Sequence, residues 1–245
     1  MTKLLAYPLT VLYFICFGLT LVVFHPIQWF CKNVFGYQAH KISVDWLQFF
    51  IMRCLNVLGT TFSFTNPYNI EKGIPLILVA NHQSMYDIPP LIWYFRKHHV
   101  KFISKKELGK GIPSVSYNLR HGGSVLIDRK KPVESIKAIE AFAERVQKNN
   151  WAAVIFPEGT RSRNGHPKPF KTKGLLTMVK HVPNALVVPI TINNSWKTLR
   201  YGKFPMGIGA HITFRVHKPL QANHYEDKIE LISLIEAQVK SSIDA

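Results

Sequence analysis

The sequence predicts an α/β fold: a central mixed sheet flanked by helices and preceded by an N-terminal, membrane-embedded helical hairpin. An uncharged apolar run near the start has the length of a membrane span. After residue 66, short apolar runs recur, with amphipathic segments of helical length between them. Because alternating strands and helices are typical of α/β sheets, we predict two units. These are a membrane-associated hairpin over residues 1–62 and an α/β domain over residues 63–245.

The predicted hairpin consists of two apolar stretches of different length. The first, Leu4–Phe24, contains no charge and as a helix would be about 30 Å long, the thickness of a bilayer core. The second, Trp46–Gly59, is short and carries Arg53, which favours an interfacial or re-entrant helix. The pair therefore predicts either a hairpin inserted in one leaflet or one span followed by one surface helix.

The strands of the predicted sheet are short runs of Val, Ile, Leu and Phe, several of them apolar throughout. Such continuous runs are typical of strands covered on both faces. The candidates are Leu76–Ala80, Val100–Ser104, Ser124–Ile127, Ala152–Phe156, Ala185–Thr191 and Ala210–Val216. Apolar residues at helical spacing predict flanking helices over Pro132–Gln147 and from about Tyr225 to Ser242.

Composition excludes several classes of protein. Of 245 residues, 47% are hydrophobic, which excludes a disordered chain. The three cysteines are too few for a disulfide scaffold and lack metal-ligand spacing, so no metal is expected. With 31 Lys and Arg against 14 Asp and Glu, the formal charge is +17, which indicates an anionic partner such as nucleic acid, a membrane surface or a small anion.

The excess charge is concentrated in two stretches of the predicted α/β domain. No acid occurs between Glu158 and Glu226, nor between Asp87 and Glu107, and both intervals contain several Lys and Arg. Such stretches form either solvated cationic faces or surfaces that bind phosphate. No basic–aromatic RNA-binding motif is present, so nucleic acid is not an expected partner.

A histidine and an aspartate follow the first strand of this domain, where α/β sheets usually carry their sites. His82 and Asp87 are five residues apart, which on a regular helix would place them about 140° apart around the axis. They can meet only if His82 lies on a loop and Asp87 lies in the first helical turn. In that arrangement the carboxylate would hold one imidazole nitrogen as N–H, leaving the other free to accept a proton.

Two further strand ends carry arginines. Pro157-Glu158-Gly159-Thr160-Arg161 follows one predicted strand, and Arg129 follows another. A guanidinium fits phosphate oxygens in a bidentate fashion. The same residues also fit a turn that is closed by a local ion pair and binds no substrate. The convergence of three polar strand ends favours a substrate site.

These motifs resemble those of the 1-acyl-sn-glycerol-3-phosphate acyltransferase family, the glycerolipid acyltransferases with a His-x-x-x-x-Asp motif. The resemblance covers about residues 70 to 195 and is most specific in the first and third blocks. The four blocks, in family order, are Asn81–Asp87, Gly123–Arg129, Phe156–Ser162 and Val188–Ile190.

The resemblance implies an O-acyltransferase of phospholipid biosynthesis that converts lysophosphatidate to phosphatidate. His82 would be the general base on the sn-2 hydroxyl, and Asp87 would orient it. The acyl donor would be a thioester of acyl carrier protein or coenzyme A, with no metal and no other cofactor. Among the substrate-binding residues, Glu158 would contact the glycerol, and three cations would hold the phosphate. The full implied set is Glu158, Gly159, Thr160, Arg161, Arg129 and Lys105.

Two alternatives stay open. One is an acyltransferase for another lysolipid acceptor. The other is a membrane-tethered protein that binds anions without chemistry. The expected location is a membrane, at the cytoplasmic face of a bacterial inner membrane, where the basic surface would contact anionic lipid.

Overall fold

A mixed β-sheet is the centre of the computed structural model, which describes residues 2–244. Its strands are β1 (Thr61–Thr65), β2 (Leu76–Ala80), β3 (Val100–Lys105), β4 (Val125–Ile127), β5 (Ala152–Ile155), β6 (Leu186–Asn193), β7 (His211–Val216) and β8 (Leu220–Gln221). The α-helices are α1 (Thr2–Val34), α2 (Gly36–Asn56), α3 (Ile88–Tyr94), α4 (Val115–His121), α5 (Pro132–Asn149), α6 (Thr172–His181) and α7 (Lys228–Lys240).

The strand order is β1-β7-β6-β2-β5-β3-β4, with β8 also paired to β6. Strands β6, β2, β5, β3 and β4 run parallel, whereas β7 and β8 are antiparallel to β6. The carboxyl ends of the five parallel strands therefore meet at one edge of the sheet, called here the carboxyl edge. The predicted mixed sheet flanked by helices is confirmed.

Strand β2 lies in the middle of this sheet and is buried along its whole length. Ile77 and Val79 face a core formed with α5, α6 and α7, while Leu76, Leu78 and Ala80 face a second core that includes α3. This alternation follows from the two-residue period of a strand. A continuous apolar run was therefore the correct signal for a strand covered on both faces.

The hairpin differs from its prediction in length. The predicted apolar run ended at Phe24. Helix α1 continues beyond it, through Pro26 to Val34. Among the described residues, α1 is the helix long and apolar enough to cross a membrane, and only 17% of its most apolar window is buried. Helix α2 begins at Gly36, ten residues before the predicted start at Trp46.

One of the two interpretations of the sequence made the second stretch a surface helix. In the structure, helix α2 also packs against protein. Leu47, Ile51 and Leu55 are buried against α1 and the α/β domain, while Ile42, Trp46 and Phe50 are exposed. The face that contacts protein is apolar enough to hold the helix against the domain.

Strands β1 and β8 were not predicted. Thr61 and Phe62, assigned from the sequence to the hairpin, begin β1 and pair with His211 and Ile212 of β7. A five-residue strand whose partner lies 150 residues away leaves little local signal, because its pairing depends on the rest of the sheet.

Candidate active site

The carboxyl edge brings together the polar segments that follow separate strands. His82 follows β2, Arg129 follows β4, and Glu158 and Arg161 follow β5. Lys105 ends β3, where it pairs with Ile127 of β4, two residues before Arg129. The convergence of strand ends predicted from the sequence is therefore present, because the strands involved are parallel neighbours.

His82 and Asp87 form a hydrogen-bonded pair. His82 lies on the loop after β2, and Asp87 ends a single 3-10 turn (Met85–Asp87) that leads into α3. The distance from His82 Nδ1 to Asp87 Oδ2 is 2.7 Å. The loop-and-first-turn arrangement required by the five-residue spacing is thus the one observed.

Asp87 is completely buried and accepts hydrogen bonds from several directions. Its Oδ2 also accepts from the backbone amides of Gln83 (2.8 Å) and Ser84 (3.0 Å), and its Oδ1 accepts from the Ser195 hydroxyl. Donors to both oxygens fix the orientation of the carboxylate. The carboxylate is therefore a rigid acceptor for His82.

This geometry determines which imidazole nitrogen is available. An ionised carboxylate only accepts hydrogen bonds, so Nδ1 of His82 carries the proton and Nε2 carries the lone pair. The ring stacks on Phe156, with centroids 4.1 Å apart and planes 18° apart, and the side chain is 13% exposed. The imidazole is thus held from two sides, and Nε2, the nitrogen that can act as a base, accepts a long hydrogen bond of 3.4 Å from Arg161 Nε.

Glu158 is buried at the carboxyl edge. It is 1% exposed, and its oxygens accept from the backbone amides of His82 (2.9 Å) and Lys168 (3.0 Å). Burial raises the pKa of Glu158, and those two amides oppose the increase. Glu158 therefore ties the His82 loop to the segment after β5 and holds His82 in position. Its contact with the glycerol stays a prediction.

Gly159 and Thr160 shape the turn beside this carboxylate. Gly159 has φ +72°, and a Cβ there would lie 3.2 Å from Lys171 Cδ, so a side chain would be strained and crowded. Its carbonyl accepts from Arg129. The Thr160 hydroxyl accepts from Lys168 Nζ at 2.9 Å. Both residues thus position cations at the carboxyl edge.

Arg161 and Arg129 supply the positive charge next to His82. Arg161 Nε donates a long hydrogen bond of 3.4 Å to His82 Nε2. Partial burial, together with the nearby charge of Arg161, lowers the pKa of Arg129, although a guanidinium stays protonated at neutral pH. Lys105 is exposed and makes no hydrogen bond to these side chains among residues 2–244. Two of the three predicted phosphate-binding cations are therefore assembled, and Lys105 lies at the margin.

Two residues of the site were missed from the sequence. Ser195 follows β6 in the polar run Asn193-Asn194-Ser195, so the strand-end signal used elsewhere would have found it. Tyr13 of α1 had no such signal. Its hydroxyl donates to the Tyr86 hydroxyl at 2.9 Å, and Tyr86 immediately precedes Asp87. The first helix therefore packs directly against the catalytic turn.

Comparisons with known proteins identify the family to which the chain is similar. A family model described as Acyltransferase matches residues 61–193. The chain is 32% identical over 180 residues to the 1-acyl-sn-glycerol-3-phosphate acyltransferase of Saccharomyces cerevisiae, covering 71% of this chain and 56% of that one. It is 37% identical over 145 residues to the enzyme of the same name from Helicobacter pylori, covering 55% and 59%. The chain spans about half the length of the curated relatives it matches.

The fold has a solved counterpart. The crystal structure of the 1-acyl-sn-glycerophosphate (LPA) acyltransferase from Thermotoga maritima superposes with a TM-score of 0.79. The two chains are 24% identical, and the match covers 99% of this chain and 96% of that chain. The similarity therefore includes the N-terminal hairpin as well as the sheet.

Proposed function

The chain belongs to the acyltransferase family, and on that premise we propose that it is a 1-acylglycerol-3-phosphate O-acyltransferase. It transfers a fatty acyl group from a thioester to the sn-2 hydroxyl of lysophosphatidate, giving phosphatidate. Relatives from yeast, plants, animals and bacteria that carry this name support the choice of substrate.

The observation that carries the proposal is the distance between the base and the cation. In lysophosphatidate, two carbon atoms separate the sn-2 oxygen from the oxygen that bears phosphorus. A site for it must therefore hold a base and a phosphate-binding cation a few ångströms apart. Nε of Arg161 lies 3.4 Å from Nε2 of His82, and Arg129 donates to the carbonyl of Gly159, two residues before Arg161.

The reaction requires one base and no covalent enzyme intermediate. Nε2 of His82 accepts the sn-2 hydroxyl proton as the oxygen attacks the thioester carbonyl. Asp87 stabilises the imidazolium that forms. The tetrahedral adduct then collapses, the C–S bond breaks, and the leaving thiolate takes the proton from His82. Arg161 and Arg129 hold the phosphate through charge-assisted hydrogen bonds throughout.

The proposal also covers the acyl donor and the cellular location of the protein. Acyl carrier protein and coenzyme A are both acidic carriers, which suits a chain with a formal charge of +17. Helix α1 exposes apolar side chains along most of its length, including Leu12, Ile15, Leu19 and Val23, which supports membrane association. We infer the cytoplasmic face of a bacterial inner membrane, where such thioesters are available.

The proposal is tested with purified full-length protein, a set of acceptors and both donor types. Lysophosphatidate is expected to be the best acceptor, ahead of lysophosphatidylethanolamine, lysophosphatidylcholine and monoacylglycerol. A headgroup esterified to the phosphate removes one charge and adds bulk beside Arg161. If lysophosphatidate were the poorest acceptor, or if no acceptor were acylated with either donor, the proposal would be wrong.

Replacing Arg161 with glutamine is expected to raise the KM for lysophosphatidate about 10- to 100-fold, the worth of a hydrogen bond to a charged group. The KM for monoacylglycerol, which lacks phosphate, is expected to change little. Steady-state kinetics with both acceptors measure the difference. The matched control is Arg163→Gln, an exposed arginine two residues along the chain. An equal rise for both acceptors would remove Arg161 from phosphate binding.

A further inference from the structure

Two adjoining cavities lie beside α2, away from the carboxyl edge. The first, of about 270 Å³, is lined mainly by Lys41, Asp45, Trp46, Trp93, Arg96 and Lys97. Helix α3 starts at the carboxyl edge directly after Asp87, and Trp93 lies near its far end. Arg96 and Lys97 then precede the first residue of β3, Val100. This cavity is therefore at the opposite edge of the sheet from His82.

The first cavity carries uncompensated positive charge. Lys41 Nζ pairs with Asp45 at 2.6 Å and also donates to the carbonyl of Arg96, which neutralises the one acid in the lining. The Arg96 guanidinium lies 4.3 Å from the centre of the Trp93 ring and donates to the Trp93 carbonyl. Within residues 2–244, no acidic side chain pairs with Arg96 or Lys97. The remaining donors suit an anion.

The second cavity is apolar and continues from the first. It measures about 390 Å³, runs between α1 and α2, and is lined mainly by Phe24, Ile27, Cys31, Ile42, Trp46 and Phe50. Ile42 and Trp46 line both cavities. Trp46 is 48% exposed, and indole rings favour the level of lipid headgroups in a membrane. A cationic cavity and an apolar groove thus lie side by side and share two lining residues.

We propose that these two cavities together bind one anionic phospholipid of the surrounding bilayer, at a site separate from the catalytic one. Arg96 and Lys97 bind the phosphate, the indoles of Trp46 and Trp93 flank the headgroup, and one acyl chain lies in the groove between α1 and α2. The charge of the first cavity requires an anion, and the apolar groove requires a chain attached to it. A free phosphate would satisfy only the first requirement, and a zwitterionic lipid would gain less from the uncompensated charge.

The site would fix the domain on the membrane by a defined contact rather than by diffuse attraction. The hairpin contributes Ile42 and Trp46, while the α/β domain contributes Trp93, Arg96 and Lys97. A lipid bound there contacts both units at once. Such a lipid is expected to remain bound during extraction into mild detergent, where diffuse surface attraction is lost.

The test is native mass spectrometry of the full-length protein in mild detergent, titrated with dioleoyl phosphatidylglycerol or dioleoyl phosphatidylcholine. Phosphatidylglycerol is anionic but is neither substrate nor product of the proposed reaction. We expect one phosphatidylglycerol to be retained, with at least about tenfold weaker binding in Arg96→Gln/Lys97→Gln. Phosphatidylcholine is expected to be retained only at much higher lipid concentration.

The matched control is Lys137→Gln/Lys148→Gln, which removes the same charge from exposed positions on α5. It is expected to retain phosphatidylglycerol as the unaltered protein does. Equal weakening in both double variants, or equal retention of the two lipids, would overturn the proposed site. Because retention is measured without turnover, it can be repeated with His82→Ala. The outcome therefore does not depend on the proposed acyl transfer.

Discussion

Replacing His82 with alanine is expected to reduce kcat for acyl transfer by about 10²- to 10⁴-fold, the usual worth of a general base. Asp87 binds Nδ1 of His82, which leaves the lone pair on Nε2, and Phe156 holds the ring from its face. The measurement is the rate of phosphatidate formation at saturating lysophosphatidate and donor.

The control is His224→Ala, which removes an exposed histidine far along the chain. Its rate is expected to equal that of the unaltered protein. His82→Ala is expected to keep its membrane association and circular dichroism spectrum, because the side chain is not part of either apolar core. Undiminished transfer by His82→Ala would exclude His82 as the base.

Replacing Asp87 with asparagine is expected to lower kcat by about 10³- to 10⁴-fold, because the neutral amide no longer fixes the imidazole tautomer. The carboxylate accepts from His82, Gln83, Ser84 and Ser195, and an amide has only one oxygen to offer. At least one buried donor would then lose its partner, which costs about 1–3 kcal/mol of stability. Both the rate and the thermal unfolding midpoint are measured.

The matched control is Asp227→Asn at the start of α7, where the aspartate caps the helix by accepting from the Ile229 amide at 2.7 Å. Asparagine caps helices as well as aspartate does, so this variant removes the same charge with little change in rate or stability. If Asp87→Asn retained most of its activity, the carboxylate would not be needed to orient His82. Comparable losses in both variants would point to a general effect of charge.

Much of the sheet could be predicted because its strands are buried on both faces. Continuous apolar runs gave β2 with its observed bounds and the other long strands to within about two residues. Strand β1 was missed because it is an edge strand with little local signal. The early start of α2 was missed because the residues around His40 and Ser43 are polar, yet they are buried against neighbouring helices and loops.

The site was predictable where it follows strand ends and unpredictable where it depends on distant contacts. His82, Asp87, Arg129 and Arg161 stand directly after parallel strands, so the sheet brings them together. Glu158 also lies at this edge, and its hydrogen bonds to the backbone amides of His82 and Lys168 depend on contacts between distant segments that the sequence did not predict.

The sequence by itself determined the class of fold, the apolar first helix, the positive charge and the residues at the carboxyl edge. Each of these depends on residue type and short-range spacing. Only the tertiary structure decided that Ser195 completes the acceptor set of Asp87, that Tyr13 packs on the catalytic turn, and that Arg96 faces a cavity shared with α2. These contacts join residues tens to more than a hundred positions apart, and no local pattern encodes which distant side chains the packed strands and helices will bring within hydrogen-bond range.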